Sequence, residues 1–388
     1  MRLSLILPVV APEQFYAPER CTHAKCKGKY FRMRQEVPKS VRDMQYEQVV
    51  ARRYECLRCH RTFRVYPQGV LAGQFSQRAK GVGVMLYLLG LSYGAVELVL
   101  GALGVWLSKA TVYRSVQVAA ERVPGMKQEQ FLKGYRTQAL GADVTSVKCK
   151  GKWLPIGITV DALSGLVLTI DQLSSEEAQS LQAWVAPIAE SVEARVLVSD
   201  DADAFKIVAD QQGLFQQVCK SHVVRNTETL IDNLTQAIHS AQDHSLTTLG
   251  IDPQQALADL HLLGELINTR LPEQQPSVEG LYLRYARAPA PHPGQTACLA
   301  YRLRNLFLDR WSLWPLLTFY RTWKNANGDE ILDGTNNASE RAIGWWIKER
   351  YRTMRGYKRQ QSALNVSRLI AYCGNHLAQG LDLANLVA

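Results

Sequence analysis

The chain of 388 residues has no internal repeat and no low-complexity tract. With 47% hydrophobic and 21% charged residues it is neither disordered nor collagen-like. No secretory leader is expected: Arg2 precedes a short apolar run, but Pro8 breaks that run and no small-residue cleavage site follows cleanly. Long hydrophobic runs are scarce as well. Residues 82–107 carry one charge, Glu97, and are long enough to span a bilayer. Five glycines interrupt them, however, and a central carboxylate costs roughly 2.5–3.5 kcal/mol on insertion scales, so no membrane span is expected. Beyond residue 80 there is no net charge, with 29 Lys+Arg against 29 Asp+Glu. The whole surplus of +10 lies in residues 1–80, where 16 Lys+Arg face 6 Asp+Glu. An anionic partner, nucleic acid first, is expected to dock there. The eight cysteines do not form a disulfide framework: four make two close pairs, and Cys149, Cys219, Cys298 and Cys373 are scattered. In a chain of this length that pattern points to a reducing compartment and one metal site.

What is present falls into five stretches: 1–75, 76–130, 131–226, 227–328 and 329–388. The first is basic and holds both cysteine pairs, Cys21-x4-Cys26 and Cys56-x2-Cys59. Four thiolates on two tight turns are the ligand set of a structural, tetrahedral Zn²⁺, and the flank Arg58-Cys-His-Arg-Thr-Phe-Arg64 suits a zinc ribbon. His23 and His60 are weaker alternatives to a thiolate. Within 76–130 one helix ends at Gly90. Ser92 N-caps a second from Tyr93 to Leu103, Gly104 makes a turn, and Ser108 N-caps a third from Lys109 to Gln117. The third helix is expected to expose Lys109, Thr111, Tyr113, Arg114 and Gln117, as a recognition helix for the major groove of double-stranded DNA does.

Residues 138–143, 153–160 and 166–170 read as a three-strand meander with turns at Lys150-Gly151-Lys152 and Ser164-Gly165. A helix is expected over 174–191, a buried strand over 194–199, a helix over 202–212 and a short strand over 215–219. Residues 225–325 are helical in pattern, broken by the Pro-rich segment 286–294. Their aromatic cluster, Trp311, Trp314, Phe319, Tyr320 and Trp323, is expected to be core. Helices follow near 336 and over 361–380. The fold class is therefore α/β.

Three carboxylates stand out. Asp143 lies in the first strand, Asp200 ends the fourth, and Glu340 lies in the first turns of a late helix. A carboxylate at an apolar strand end is costly unless paired or bound to metal. If the meander folds back, strands one and four are neighbours and the two aspartates converge. Three such groups can hold two Mg²⁺ (or Mn²⁺) ions about 3.5–4 Å apart. Asp161, Asp171, Asp201 and Asp203 compete. After Glu340, residues 341–359 hold seven Lys/Arg against Glu349, interleaved with aromatics. Arg350, Arg352 and Arg355 among them are expected to follow a DNA backbone.

In this order the segments resemble DDE transposases with an RNase H-like catalytic domain, closest to the mutator-like (MULE-type) group. Val198-Ser-Asp200-Asp-Ala-Asp-Ala-Phe205 resembles the second-Asp segment, Cys219-Lys-Ser-His222 the C-x2-H motif, and Thr335-Asn-Asn-Ala-Ser-Glu340-Arg the third-acid helix. Asp143 matches by position. Asp201 stands where the family often has Gly. The resemblance implies a helical insertion between Asp200 and Glu340 and places Cys219 and His222 near the active site, with His222 contacting DNA there. A zinc ribbon and helix-turn-helix ahead of the catalytic domain are common in insertion-sequence transposases. The implied activity is cleavage at element ends and joining of the 3′-OH to target DNA. It requires a dimer or larger assembly, in a bacterial-type cytoplasm at the nucleoid. The alternatives are a metal-dependent nuclease or resolvase on the same fold, and a non-catalytic DNA-binding relic.

Overall fold

The computed structural model describes all residues except 1–4, 17, 126–131, 241–242, 355–356, 377–380 and 388. The chain divides into two compact units. The first comprises residues 1–130, 146–154 and 344–388; the second comprises 131–145 and 155–343.

The first unit begins with a three-stranded antiparallel sheet, β1 (Phe31–Ser40), β2 (Gln48–Cys56) and β3 (Thr62–Val65). β1 pairs from Phe31↔Cys56 to Ser40↔Gln48, with a bulge between Met33 and Gln35. Phe31 meets Phe63 edge-on at 5.1 Å, and with Tyr54 they wall a small core around Cys21 and Cys56. Three helices follow: α1 (Gln77–Leu88), α2 (Tyr93–Ala102) and α3 (Lys109–Glu121). Ser76, Ser92 and Ser108 cap them by accepting the backbone N–H three residues on, which satisfies otherwise orphaned donors. Gly104 has φ +79°, so the α2–α3 turn uses a conformation that side chains disfavour. The apolar run 82–107 is thus two short helices and a turn. Among the described residues no helix is long and apolar enough to cross a membrane.

The second unit is mixed α/β, built on a five-stranded sheet. β4 (Ala139–Cys149), β5 (Lys152–Asp161) and β6 (Val167–Gln172) form the expected meander, and β4 runs six residues beyond its expected end. α4 (Ala178–Val192) starts four residues later than expected, because Ser174 and Ser175 bond Ser180 in the preceding turn. β7 (Val196–Ser199) then inserts beside β4, followed by α5 (Asp203–Gln211) and β8 (Phe215–Val218). The sheet order is β8-β7-β4-β5-β6, with β7 parallel to both β4 and β8. The fourth strand therefore does lie next to the first.

α6 (Lys220–His239), α7 (Pro253–Thr269), α8 (Gln275–Tyr285) and α9 (Leu299–Thr322) make a separate helical core around Leu260, Leu263, Phe307 and Trp314. Trp314 and Tyr320 are buried, so the aromatic cluster is core at those positions. Buried Gln217 ties α9 to β8. Its amide donates to the Leu317 carbonyl (3.2 Å) and accepts the Tyr320 N–H (2.7 Å). α10 (Asn337–Ala342) continues as a π-helical turn, Ile343–Lys348.

Two stretches divide differently from the sequence reading. Residues 146–154 of the stretch 131–226 and residues 344–388 of the stretch 329–388 group with the first unit, where the helix Gln360–His376 packs on α3. Tyr113 donates to or accepts from Ser362 (3.0 Å) and Asn365 donates to Gln117 (3.2 Å); these long-range contacts leave no local sequence signature.

Candidate active site and metal centre

The two cysteine pairs sit on matching knuckles. In the first, the Cys21 N–H bonds the Gly28 carbonyl; in the second, the Cys56 N–H bonds the Arg61 carbonyl. Lys25 and His60, each at a knuckle, adopt positive φ (68° and 58°), a conformation uncommon outside glycine. The four Sγ atoms lie within 4.8 Å of one another, with Cys26–Cys56 at 3.8 Å and Cys21–Cys59 at 3.9 Å. A tetrahedral Zn²⁺ with bonds of about 2.3 Å places its sulfurs about 3.8 Å apart, so the four fit that ion. A Cβ on Gly28 would fall 2.5 Å from the Cys56 sulfur, so only glycine admits the chain this close. The N–H groups of Cys59 and Arg58 pull the Cys56 thiol down to about 7. Against an N–H near His23, burial and the three neighbouring sulfurs push Cys21 up to about 12. Without a cation these thiols resist sharing charge. Neither histidine belongs to the cluster: His23 Nε2 is 3.2 Å from the Thr62 carbonyl, and His60 pairs with Glu55 at 3.4 Å.

On the helical face, Lys109 and Arg114 are exposed and Thr111 is half-buried against Ser108. Two expected DNA contacts are corrected here. Gln117 is half-buried and bonded to Asn365. Arg350 is 3% exposed, donates to the Leu91 carbonyl (2.9 Å) and lies 3.6 Å over the Tyr87 ring. Its guanidinium serves packing within the first unit, where desolvation strengthens the cation–π contact. Arg352 is exposed and pairs with Glu349 at 3.5 Å. Arg355 lies outside the described residues.

The acidic site forms at the sheet. β7 and β4 pair in parallel as Val196↔Ala139 to Val198↔Gly141. Asp200 is the first residue past the end of β7, and Asp143 lies two residues beyond Gly141 inside β4. Ser199 pairs with Val218, which places Cys219 next in line. Asp200 accepts the Ala202 N–H (3.2 Å) and Asp143 the Val144 N–H (2.8 Å); both are half-buried. α10 is seated on the same strand. Asn336 donates to the Ala142 carbonyl (3.2 Å), and a Cβ on Gly141 would meet Ser339 Oγ at 2.6 Å. Glu340 follows directly.

Three of the four competing acids are engaged elsewhere. Asp161 is buried and accepts from Tyr135 (2.5 Å), Thr137 (2.7 Å), Ser164 (2.7 Å) and the Leu163 N–H (2.9 Å). Burial alone would raise its pKa, but these donors hold it below the usual carboxylate value. Asp201 pairs with Lys206 at 2.8 Å and faces buried Arg310 at 4.0 Å, while Asp203 pairs with Lys206 at 3.0 Å.

The ligand atoms that converge within 4.8 Å in this unit, among the described residues, are those of Cys219, His222 and Glu340. Asp143 and Asp200 are not members of that set, so the three acids do not close around one ion. A pair of ions about 3.5–4 Å apart spans a wider arrangement, and three carboxylates suit Mg²⁺ by donor type. Cys219 N-caps α6 and is fully buried; its sulfur accepts the Asn336 N–H (3.3 Å), and burial pushes its thiol up. His222 Nε2 lies 3.8 Å from Glu340 Oε1.

No family model matches the chain, and no curated protein matches it. Among solved structures it is similar to three integrase catalytic cores. One is the BIV integrase catalytic core domain, with 17% identity over 27% of this chain and 74% of that chain and a TM-score of 0.19. The others are the HTLV-2 integrase catalytic core domain in complex with magnesium in two forms. The trimeric form has 17% identity over 32% of this chain and 83% of that one, with a TM-score of 0.20. The dimeric form has 18% identity over 26% and 72%, with a TM-score of 0.19.

Proposed function

We propose that the chain is a DDE-type DNA transposase with an RNase H-like catalytic domain, of the mutator-like kind borne by insertion sequences. The observation that carries this reading is the parallel pairing of β7 with β4 up to Val198↔Gly141, two residues before Asp200 and Asp143, with the Glu340 helix anchored to β4 through Asn336 and Ala142. Asp143, Asp200 and Glu340 would hold two Mg²⁺ ions, which supply a Lewis-acid clamp on the attacking and leaving oxygens. The protein's own part is placement. Asp143 within β4 and Asp200 just past the end of β7 would supply the aspartates, and a short helix the glutamate. His222, on the first turn of α6, would contact DNA beside these acids. Asp201 takes no metal in this reading, because Lys206 and Arg310 hold it. The zinc ribbon and α3, through Lys109, Thr111 and Arg114, bind the element's ends, and Arg352 adds a phosphate contact. A dimer or larger assembly brings two ends together.

The test is Mg²⁺-dependent cleavage and strand transfer on DNA carrying the element's own ends, with Asp200→Ala alongside. Joined products with the wild type and none with the variant, end binding being retained, are the expected result. Cleavage without joining identifies a nuclease or resolvase. Binding without cleavage, in Mg²⁺ or Mn²⁺, identifies a non-catalytic regulator.

A further inference from the structure

The geometry points to a second transition-metal site at Cys219, His222 and Glu340, where a single Zn²⁺ binds through one sulfur, one nitrogen and one oxygen with a coordination position left open. The Cys219 sulfur is 3.7 Å and the His222 Nε2 3.8 Å from the same oxygen, Glu340 Oε1, and all three ligand atoms lie within 4.8 Å of one another. A separation of 3.8 Å is too long for an N–H···O hydrogen bond. Bonds of about 2.3 Å to sulfur and 2.0–2.1 Å to nitrogen and oxygen separate tetrahedral ligands by roughly 3.3–3.6 Å. The two distances to Glu340 Oε1 are therefore within a few tenths of an ångström of that geometry, and the sulfur-to-nitrogen distance is no more than 4.8 Å.

The fold prepares each ligand. Cys219 immediately precedes a 20-residue helix, and its sulfur accepts the Asn336 N–H (3.3 Å) and lies 3.7 Å from Glu340 Oε1, so packing already holds it beside the carboxylate. His222 sits three residues on, on the same side of the first turn. Its Nδ1 is buried with no hydrogen-bond partner among the described residues, so no rigid polar anchor opposes a small rotation of the ring. The ligand set selects the ion. A thiolate and an imidazole favour Zn²⁺ over Mg²⁺, whereas the neighbouring aspartates favour Mg²⁺. Glu340 is common to both. On the transposase reading proposed above, Zn²⁺ at this site withdraws Glu340 from the Mg²⁺ pair and stops cleavage.

The experiment counts metal in the full chain, prepared with zinc and freed of loosely held ions, for the wild type, Cys219→Ser and His222→Gln. Two Zn²⁺ per chain in the wild type and one in either variant are expected, with thermal unfolding unchanged in His222→Gln. Co²⁺ added to zinc-ribbon-loaded protein should give a thiolate charge-transfer band that Cys219→Ser abolishes. One Zn²⁺ per chain in the wild type, or two in both variants, overturns the site. A parallel titration of Zn²⁺ into the Mg²⁺-dependent cleavage reaction separates the two claims. Complete inhibition that His222→Gln shifts at least tenfold to higher Zn²⁺ is expected of whatever cleavage that variant retains. No cleavage at any Zn²⁺ concentration sinks the transposase reading and leaves the metal count standing.

Discussion

Around Cys21, Cys26, Cys56 and Cys59 the facing groups are sulfurs and backbone amides; around Cys219 an imidazole and a carboxylate join the Asn336 N–H. The first cluster draws its ligands from two knuckles bracketing a β-hairpin, and four thiolates fill a tetrahedron. Nothing remains for a substrate, so an ion there has only the fold to hold. The second cluster lies where parallel strands end and two helices begin, which leaves an approach for a ligand. One side chain thus takes two roles, set by whether its neighbours saturate a metal or share it.

The sharpest way to break this contrast is to remove one ligand from each cluster. Cys56→Ser should abolish zinc at the ribbon and with it the local fold. Structural zinc supplies about 10–16 kcal/mol to small modules, far more than this sheet's apolar core can replace. The expected outcome is cleavage by protease within residues 1–75 while the fragment from about 131 onward survives. An unchanged digestion pattern would show that the sheet stands without metal. Asp200→Ala should leave the digestion pattern intact and lower DNA cleavage by about 10³-fold or more, since it removes a group needed where charge develops.

Asp200→Asn and Asp201→Asn sharpen the same comparison inside the acidic site. Asp201 faces Arg310, whose side chain is 4% exposed, and Lys206. Its loss leaves polar groups poorly compensated and should lower stability by about 1–3 kcal/mol with cleavage largely kept. Asp200→Asn should do the reverse. Chemical denaturation paired with the cleavage assay decides, and equal loss of cleavage in both would return Asp201 to the metal site.

Gly141→Ala and Gly157→Ala make a matched pair on neighbouring strands. A methyl at Gly141 meets Ser339 Oγ at 2.6 Å and Val160 at 2.8 Å; one at Gly157 meets the Trp184 ring at 2.6 Å. Each should destabilise by about 1–3 kcal/mol through overpacking. Only the first pushes on α10, so only Gly141→Ala should lose metal at Glu340 beyond what its stability loss explains.

Much of this was legible in the sequence where the cause is local. Ser92 and Ser108 cap where a serine precedes a helical pattern, and Gly104 turns because its φ is positive. β7 lies beside β4 because a meander followed by a buried strand leaves few places for that strand. The errors arose where a distant segment covers a surface. Gln117 and Arg350 lie on helices whose polar pattern looks solvated, yet Asn365 and Tyr87 occupy those faces. Periodicity shows that a face is polar; it does not show what lies against it. The start of α4 was missed because Ser174 and Ser175 spend their hydroxyls on a turn, an alternative to capping that the residues alone do not distinguish.

The smallest expected difference concerns acid. Asp43 in the first unit and Asp161 in the second are both buried and both held below the usual carboxylate value. In each case burial works against the charge, and hydrogen bonds outweigh it: from Arg78, Ser76 and the Gln45 N–H at Asp43, and from Tyr135, Ser164, Thr137 and the Leu163 N–H at Asp161. A folded-state pKa below the unfolded value means that the unfolded chain binds more protons, so stability rises with pH through this window. Each group therefore contributes its full share above about 3.8, the ordinary value, and loses it as pH falls through the depressed one. Thermal unfolding followed from pH 6 to pH 3 should show Asp43→Asn and Asp161→Asn less stable than the wild type at the upper end, with the gap narrowing below about pH 4. A gap that stays constant to pH 3 would mean that shape, not charge, is what these two carboxylates contribute.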